Sequence, residues 1–275
     1  MRNKQLQERI IGALGQKPFL TVAELEKHIN RSGKQEYSAK AFYKELRLLR
    51  ENGVVVTTQR KHALRLPWVL ETLSFSEILE RNYVNHPSLP GLNSLERKWV
   101  WRFGDLLTMN DFWSHLLLVL IQQSKKKVLL GWNPHPWFHL VQTKQEEQYV
   151  RALKRARSKL YLIVGGNTYL DRWAEQFWDK GVVEYSFGKS PFEKERSTYV
   201  NVIDDYVITV KLDPKVAAEI DRIYAETRSL DTLDLPGILS LFRNKTRVMI
   251  RLEKNALKAK KIKTKFKRYW GINFE

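Results

Sequence analysis

Helical spacing dominates the N-terminal quarter of the chain, and two short β-prone runs follow it. Apolar residues recur at intervals of three and four, which predicts three helices over 5–14, 22–29 and 39–52. Thr21, with Glu24 three residues later, forms a capping-box pattern at the start of the second helix, and Ser38 can cap the third. The two β-prone runs, 54–58 and 63–66, flank a polar, basic tip and predict a hairpin.

The pattern changes after Pro67. A helical segment over 74–84 leads into the Pro- and Gly-containing stretch that starts at His86. We therefore predict a winged-helix domain over 1–67, a linker region over 68–92 and a second domain over 93–275.

In the second domain strand-like and helix-like segments alternate, which predicts an α/β sandwich. Extended or strand-like segments are 99–103, 128–132, 159–164, 182–187, 199–212 (turning at Asp204 and Asp205) and 247–252. Helical segments are 111–123 (capped by Asn110), 146–157, 169–180, 215–227 and 255–270. The predicted fold class is thus α+β / α/β, a winged helix followed by an α/β sandwich.

Composition narrows the classes of protein. The 275 residues include no cysteine, which excludes disulfides, zinc fingers and thiol catalysis. The N-terminus has no signal-peptide pattern, and the longest apolar run, 116–121, is far shorter than the about 20 residues of a membrane span. We expect a soluble cytoplasmic protein without a membrane partner.

Positive charge is concentrated at the two ends of the chain. The net charge is +18; residues 1–68 hold 14 Lys and Arg against six Asp and Glu, and residues 243–268 hold 12 against one. The remaining residues are close to neutral. Segregation of this kind predicts contact with a polyanion, most often a nucleic acid.

The N-terminal pattern resembles the winged helix-turn-helix of bacterial and archaeal transcription regulators. The resemblance lies in TVAELEKHI, SAKAFYKELRLLRENGVV and LRLP, which together span residues 21–67. It implies that the helix over 39–52 is a recognition helix in the DNA major groove and that the hairpin is the wing. The implied contacts to duplex DNA are Lys40, Tyr43, Lys44 and Arg47 on the helix and Arg60, Lys61 and Arg65 on the wing.

The second domain resembles the effector domain of sugar-responsive, TrmB-like regulators. The matching segments are YVRALKRARSKLYLIVG (149–165), VIDDYVITV (202–210) and FKRYW (266–270). The resemblance implies a phospholipase D-like fold without its catalytic motif. None of the six histidines has a lysine two residues later, so the His-x-Lys pattern of that chemistry is absent from the sequence.

Other catalytic motifs are also absent, and we expect neither an enzyme nor a cofactor. Gly165-Gly166 and Asp204-Asp205 are each typical of tight turns. The segment from Gly131 to His139 has three interpretations: a packed aromatic corner, a metal site that uses His135 and His139, or a ligand pocket. The residues that would line the pocket are Trp132, Asn133, Trp137 and His139. Our prediction includes no metal.

The C-terminal helix combines an apolar stripe (Ala259, Ile262, Phe266, Tyr269) with many lysines. Its basic face could contact DNA phosphates, lie on a membrane or simply face solvent. The first interpretation gives a secondary nucleic-acid contact through Lys258, Lys261, Lys265 and Arg268.

Together these patterns predict a transcription regulator that binds double-stranded DNA, with a second domain that senses a small-molecule effector, forms a homodimer, or does both. Two alternatives remain open at this point. One is a metal-dependent nuclease or phosphoesterase that uses acidic residues of the second domain. The other is an RNA-binding protein, which the 32 aromatic residues would suit if some of them stack on bases.

Overall fold

The computed structural model describes residues 2–30, 36–79, 98–188, 192 and 196–274. The chain divides into two compact units, Met1–Tyr83 and Val84–Glu275. The protein has a mixed α+β fold.

The first unit consists of helices α1 (Arg2–Gln16), α2 (Val22–Ile29), α3 (Ala39–Glu51) and α4 (Leu66–Leu79), with strands β1 (Val55–Thr58) and β2 (Lys61–Leu64) between α3 and α4. Its core is built from the predicted apolar positions, among them Leu6, Leu25, Phe42 and Leu46, each at most 3% exposed. The capping box is confirmed, since the Thr21 side chain accepts from the Glu24 amide and the Glu24 carboxylate accepts from the Thr21 amide.

Helix α4 differs from the prediction. It begins at Leu66, eight residues before the predicted start at Ser74, and so occupies the first part of the predicted linker region. The rest of that region, and the predicted helical residues 80–84, lie outside the described residues. The apolar residues of α4 lie on all its sides rather than on one stripe, so they gave no helical periodicity to recognise.

The second unit has a seven-stranded mixed sheet with helices on both faces. The strands are β3 (Lys98–Phe103), β4 (Val128–Asn133), β5 (Lys159–Val164), β6 (Val183–Phe187), β7 (Thr198–Ile203), β8 (Tyr206–Lys211) and β9 (Val248–Lys254). Their spatial order is β3-β9-β8-β7-β4-β5-β6. Only the pairs β4–β5 and β5–β6 are parallel. The predicted turn at Asp204-Asp205 connects β7 to β8, with φ 47° at Asp204.

The helices of this unit are α5 (Leu106–Gln123), α6 (Phe138–Val141), α7 (Thr143–Arg155), α8 (Tyr169–Ala174), α9 (Pro214–Glu226), α10 (Leu235–Arg243) and α11 (Ala256–Trp270). One face of the sheet packs against α5, α7, α9 and α10. The other packs against α11, whose Ala259, Ile262 and Phe266 are buried as predicted.

The helix predictions in this unit differ from the structure in several places. The predicted helix over 169–180 is an α-helix only as far as Ala174, and a short 3-10 helix, Glu175–Phe177, follows it. Helix α5 begins at Leu106 because Asp105, and not Asn110, caps it, accepting from the Thr108 amide at 2.7 Å. Asn110 lies in the helix interior and is buried. Helix α10 was not predicted, although Asp234 caps it by accepting from the Gly237 amide and a proline stands in its first turn, both signals of a helix start. In the part of the chain that the structure describes, no helix is both long and apolar enough to cross a membrane.

Candidate functional site

Helix α3 has an apolar inner face and a cationic outer face. Phe42, Leu46 and Leu49 are buried in the core of the first unit. The four predicted contact residues of this helix, Lys40, Tyr43, Lys44 and Arg47, are all exposed. Arg47 lies 3.6 Å from the Glu51 carboxylate, a solvent-exposed pair of the kind that contributes little and is easily exchanged for another anion.

The acidic residue in the middle of α3 does not offset this positive charge at the surface. Glu45 is 2% exposed and accepts a hydrogen bond from the Gln7 amide nitrogen on α1 at 2.7 Å. Its carboxylate is therefore turned toward the core. The outer face of α3 keeps its cations without a carboxylate between them.

The β1–β2 hairpin places Arg60 at its tip in an unfavourable backbone conformation. The two turn residues, Gln59 and Arg60, have φ of 49° and 63°. Two-residue hairpin turns of this kind favour Asn-Gly, because side chains disfavour positive φ. An arginine at this position makes the turn less stable than glycine would, but it places a positive charge at the hairpin tip. A strained residue of this type can indicate a functional position. Lys61 and Arg65, the other predicted contacts of the hairpin, are also exposed.

The four predicted contact residues of α11 are not equivalent. Lys258 pairs with the Glu253 carboxylate and is half-buried. Lys265 lies over the Phe192 ring, 4.7 Å from its centroid. Lys261, Lys265 and Arg268 are exposed. Three of the four predicted contacts of α11 therefore remain accessible, and Lys258 is held by Glu253.

The predicted pocket residues do not line a common pocket. Trp132 and Asn133 are consecutive in β4, and side chains alternate between the faces of a sheet. Trp132 accordingly packs beside α11, whereas Asn133 faces α5 and α7. Trp137 stacks on Phe242 in the core, with ring centroids 4.7 Å apart.

His139, the fourth of these residues, is buried against the Trp178 side chain. The Trp178 indole donates a hydrogen bond to the His139 Nε2, and the His139 imidazole stacks on the Phe177 ring. Burial lowers the pKa of His139 to about 3, so the imidazole is neutral. Among the described residues no group of three or more His, Cys, Asp or Glu side chains could hold a metal ion.

Asn133 lines a cavity of about 30 Å³ between the sheet and helices α5 and α7, and the side chains that line it are buried. A cavity of this size has room for about two water molecules. Its polar lining consists of Asn110, Ser114, Asn133, Glu146, Tyr149 and Asn201, and its apolar walls include Trp113, Phe138 and Trp178. Gly131 lies close to two of the lining residues, since a Cβ there would lie 2.9 Å from Leu162 and 3.2 Å from Asn201.

The ionisable group of this cavity is Glu146, which is 4% exposed. Burial raises its pKa to about 7, while a hydrogen bond from Asn110, at 3.3 Å, acts in the opposite direction. Burial and the nearby Glu146 carboxylate raise the pKa of Tyr149 well above its usual value. Within the described residues, no lysine or arginine forms a salt bridge with Glu146.

A second buried polar group surrounds His135, in the turn after β4. Its Nδ1 lies 2.8 Å from Asp171 on α8, and its Nε2 lies 3.1 Å from Asp221 on α9. Arg196 lies 3.4 Å from the same Asp221 oxygen. Burial lowers the pKa of His135, but its hydrogen bonds to Asp171 and Asp221 outweigh this and raise the pKa above its ordinary value.

Both nitrogens of His135 are therefore occupied by carboxylates, and the ring is 2% exposed. A general base needs a nitrogen that can reach the substrate proton. In this arrangement the His135 ring instead joins the β4–α6 turn to α8 and α9. The geometry supports a structural ion network, not a catalytic dyad.

The sequence did carry a signal for this network. Thr168 and Asp171 form a capping box at the start of α8, with the Asp171 carboxylate accepting from the Thr168 amide at 2.9 Å. Gly166 lies so close that a Cβ on it would lie 2.6 Å from His135. The doublet Gly165-Gly166 lies in the segment between β5 and α8, where the chain bends at Gly165, and it makes room for the histidine.

No family model, curated protein or solved structure matches the chain with significance.

Proposed function

We propose that this protein is a transcription regulator that binds double-stranded DNA through a winged helix in its first unit. Helix α3 would enter the major groove, and the β1–β2 hairpin would serve as the wing. The observation that carries the proposal is the exposed cationic face of α3 in the same compact unit as a hairpin with a basic tip. The second unit, for which we infer the TrmB-like effector role, would sense a ligand, form a homodimer or do both.

Three features of the first unit support DNA contact. All seven predicted contact residues are exposed. Glu45 is buried away from the cationic face. Arg60 occupies a turn position that favours glycine. A basic surface that served only solubility would require neither the burial of Glu45 nor an arginine at this turn position.

A gel-shift assay at low salt tests the recognition-helix assignment. We expect Lys44→Ala/Arg47→Ala to weaken specific duplex binding at least roughly 30-fold, since each lost contact costs about 1–3 kcal/mol. The matched control is Arg151→Ala/Lys154→Ala, which removes the same charge from exposed residues of α7. Equal losses in the two variants would mean that only net charge matters, and unchanged binding by the α3 variant would refute the assignment.

Selection of bound fragments from random duplex DNA gives the target for this assay. An enriched motif with two half-sites about 10–10.5 bp apart would indicate a dimer with one winged helix on each half-site. Two further arms separate the alternatives. Preference for single-stranded RNA over duplex DNA would favour the RNA-binding protein, and cleavage in the presence of Mg²⁺ or Mn²⁺ would favour the nuclease.

A further inference from the structure

The cavity beside Asn133 combines a carboxylate, two buried oxygens and aromatic walls. The Asn133 Oδ1 and the Tyr149 hydroxyl are buried and hydrogen-bond no other described residue. Both residues line the cavity together with Glu146. Buried polar atoms normally have a partner, and a polar occupant of this cavity would supply the one that these two oxygens lack.

The charge of the lining indicates the class of that occupant. Glu146 is the only ionisable carboxyl group among the lining residues, and no lysine, arginine or histidine accompanies it there. A buried carboxylate without a cationic partner is costly, and a bound cation removes that cost. Above about pH 7, where Glu146 is ionised, a neutral ligand would leave the carboxylate uncompensated, and an anion would be repelled.

We propose that this cavity binds a small protonated amine, with the Glu146 carboxylate as its counter-ion. An ammonium group has three N–H donors. The lining offers three matching acceptors, namely the Glu146 carboxylate, the Asn133 Oδ1 and the Tyr149 hydroxyl oxygen.

The walls favour an organic amine over a metal cation. Trp113, Phe138 and Trp178 present aromatic surface, which attracts ammonium groups and accommodates an attached methyl group. The volume of about 30 Å³ fits an amine with about two heavy atoms and excludes a hexose. The amine would thus be the effector of the ligand-sensing role proposed above, although its binding can be measured without DNA.

The test uses the full chain at pH 8 and carbon-13-labelled methylammonium as the probe. We expect a saturable upfield shift of the bound methyl resonance, because the rings of Trp113 and Trp178 shield a group placed between them. Titration of tryptophan fluorescence should give the same affinity. Potassium chloride and methanol at equal concentrations serve as the cationic and the neutral controls, and neither should produce a saturable change.

Two variants examine the counter-ion. Glu146→Gln should weaken methylammonium binding at least tenfold, whereas Glu147→Gln, which alters the partly exposed neighbour paired with Arg151, should leave it unchanged. Tyr149→Phe should weaken it several-fold and remains informative if Glu146→Gln does not fold. The proposal is overturned if wild-type protein shows no saturable response, if potassium competes equally, or if Glu146→Gln binds as well as wild-type protein. Since none of these measurements involves DNA, a negative result here leaves the duplex-binding proposal to its own test.

Discussion

The functional side chains that we identify in the two units of this protein differ in exposure. In the first unit the cations of α3 and the hairpin are exposed, and the pair that Arg47 forms with Glu51 is solvent-exposed. In the second unit His135 and Glu146 are buried and hydrogen-bonded to neighbouring elements. Exposed charges can be replaced with little effect on folding, but buried ones cannot.

This contrast separates what substitutions in each unit should change. Substitutions on the basic surface of the first unit should alter binding and its salt dependence while the fold persists. Substitutions in the buried groups of the second unit should alter stability and its dependence on pH. The following predictions test that division, beginning with the largest effect.

Removal of the Asp171 carboxylate should give the largest loss of stability. Asp171 is fully buried, holds His135 and caps α8. Breaking a buried ion pair on one side typically costs about 3–5 kcal/mol. We therefore expect Asp171→Ala to lower the free energy of unfolding in urea by an amount in that range, with Asp179→Ala, which removes a partly exposed carboxylate paired with Lys154, as the control. A loss no larger than the control's would contradict a stabilising role for the His135 network.

Glu146 should make the second unit less stable as the pH rises. Its pKa is about 7 in the folded protein against an ordinary 4.5, so the folded state binds the proton more tightly than the unfolded state. The stability that the proton provides is complete below pH 4.5 and is lost as the pH rises through 7. The full shift corresponds to about 3 kcal/mol.

Glu146→Gln cannot ionise and isolates this contribution. Relative to wild-type protein, the variant should gain up to about 3 kcal/mol between pH 5 and pH 8, measured by urea unfolding in amine-free buffer. Glu147→Gln should follow the wild-type curve. A difference between wild-type and Glu146→Gln protein that stays constant with pH would mean that Glu146 is not desolvated.

The smallest effect, and the one most specific to the first unit, concerns Arg60. Arg60→Gly should stabilise the hairpin by about 1 kcal/mol, because glycine adopts positive φ without a side-chain clash. The same change should weaken duplex binding by about 3- to 10-fold and reduce the slope of log affinity against log salt by about one.

Arg157→Gly is the matched control for that variant. Arg157 is also an exposed arginine at positive φ, 53°, directly after α7 in the second unit. It should stabilise the protein similarly and leave duplex binding unchanged. If the two variants bind duplex DNA equally, the strained arginine at the hairpin tip has no special role in binding.

Prediction from sequence succeeded where a local pattern was enough. The amphipathic helices α2 and α3, the Thr21–Glu24 capping box and the Asp204-Asp205 turn each depend on residues within a few positions of one another. It failed at α4, whose apolar residues follow no stripe, and at the start of α5, where Asp105 competes with Asn110 for the cap. For α4 the decisive factor was packing, which no local pattern reveals. For α5 it was the choice between two residues that could each cap the helix.

The sequence by itself determined which surface of the first unit is cationic, because helical periodicity assigns Lys40, Lys44 and Arg47 to the face opposite Phe42 and Leu46. Only the tertiary structure decided which polar residues of the second unit meet. Trp132 and Asn133 are neighbours in the chain but lie on opposite faces of the sheet, whereas Glu146 and Asn133 come from different elements and line one cavity. Strand alternation separates adjacent residues, and packing of α5 and α7 on the sheet brings distant ones together.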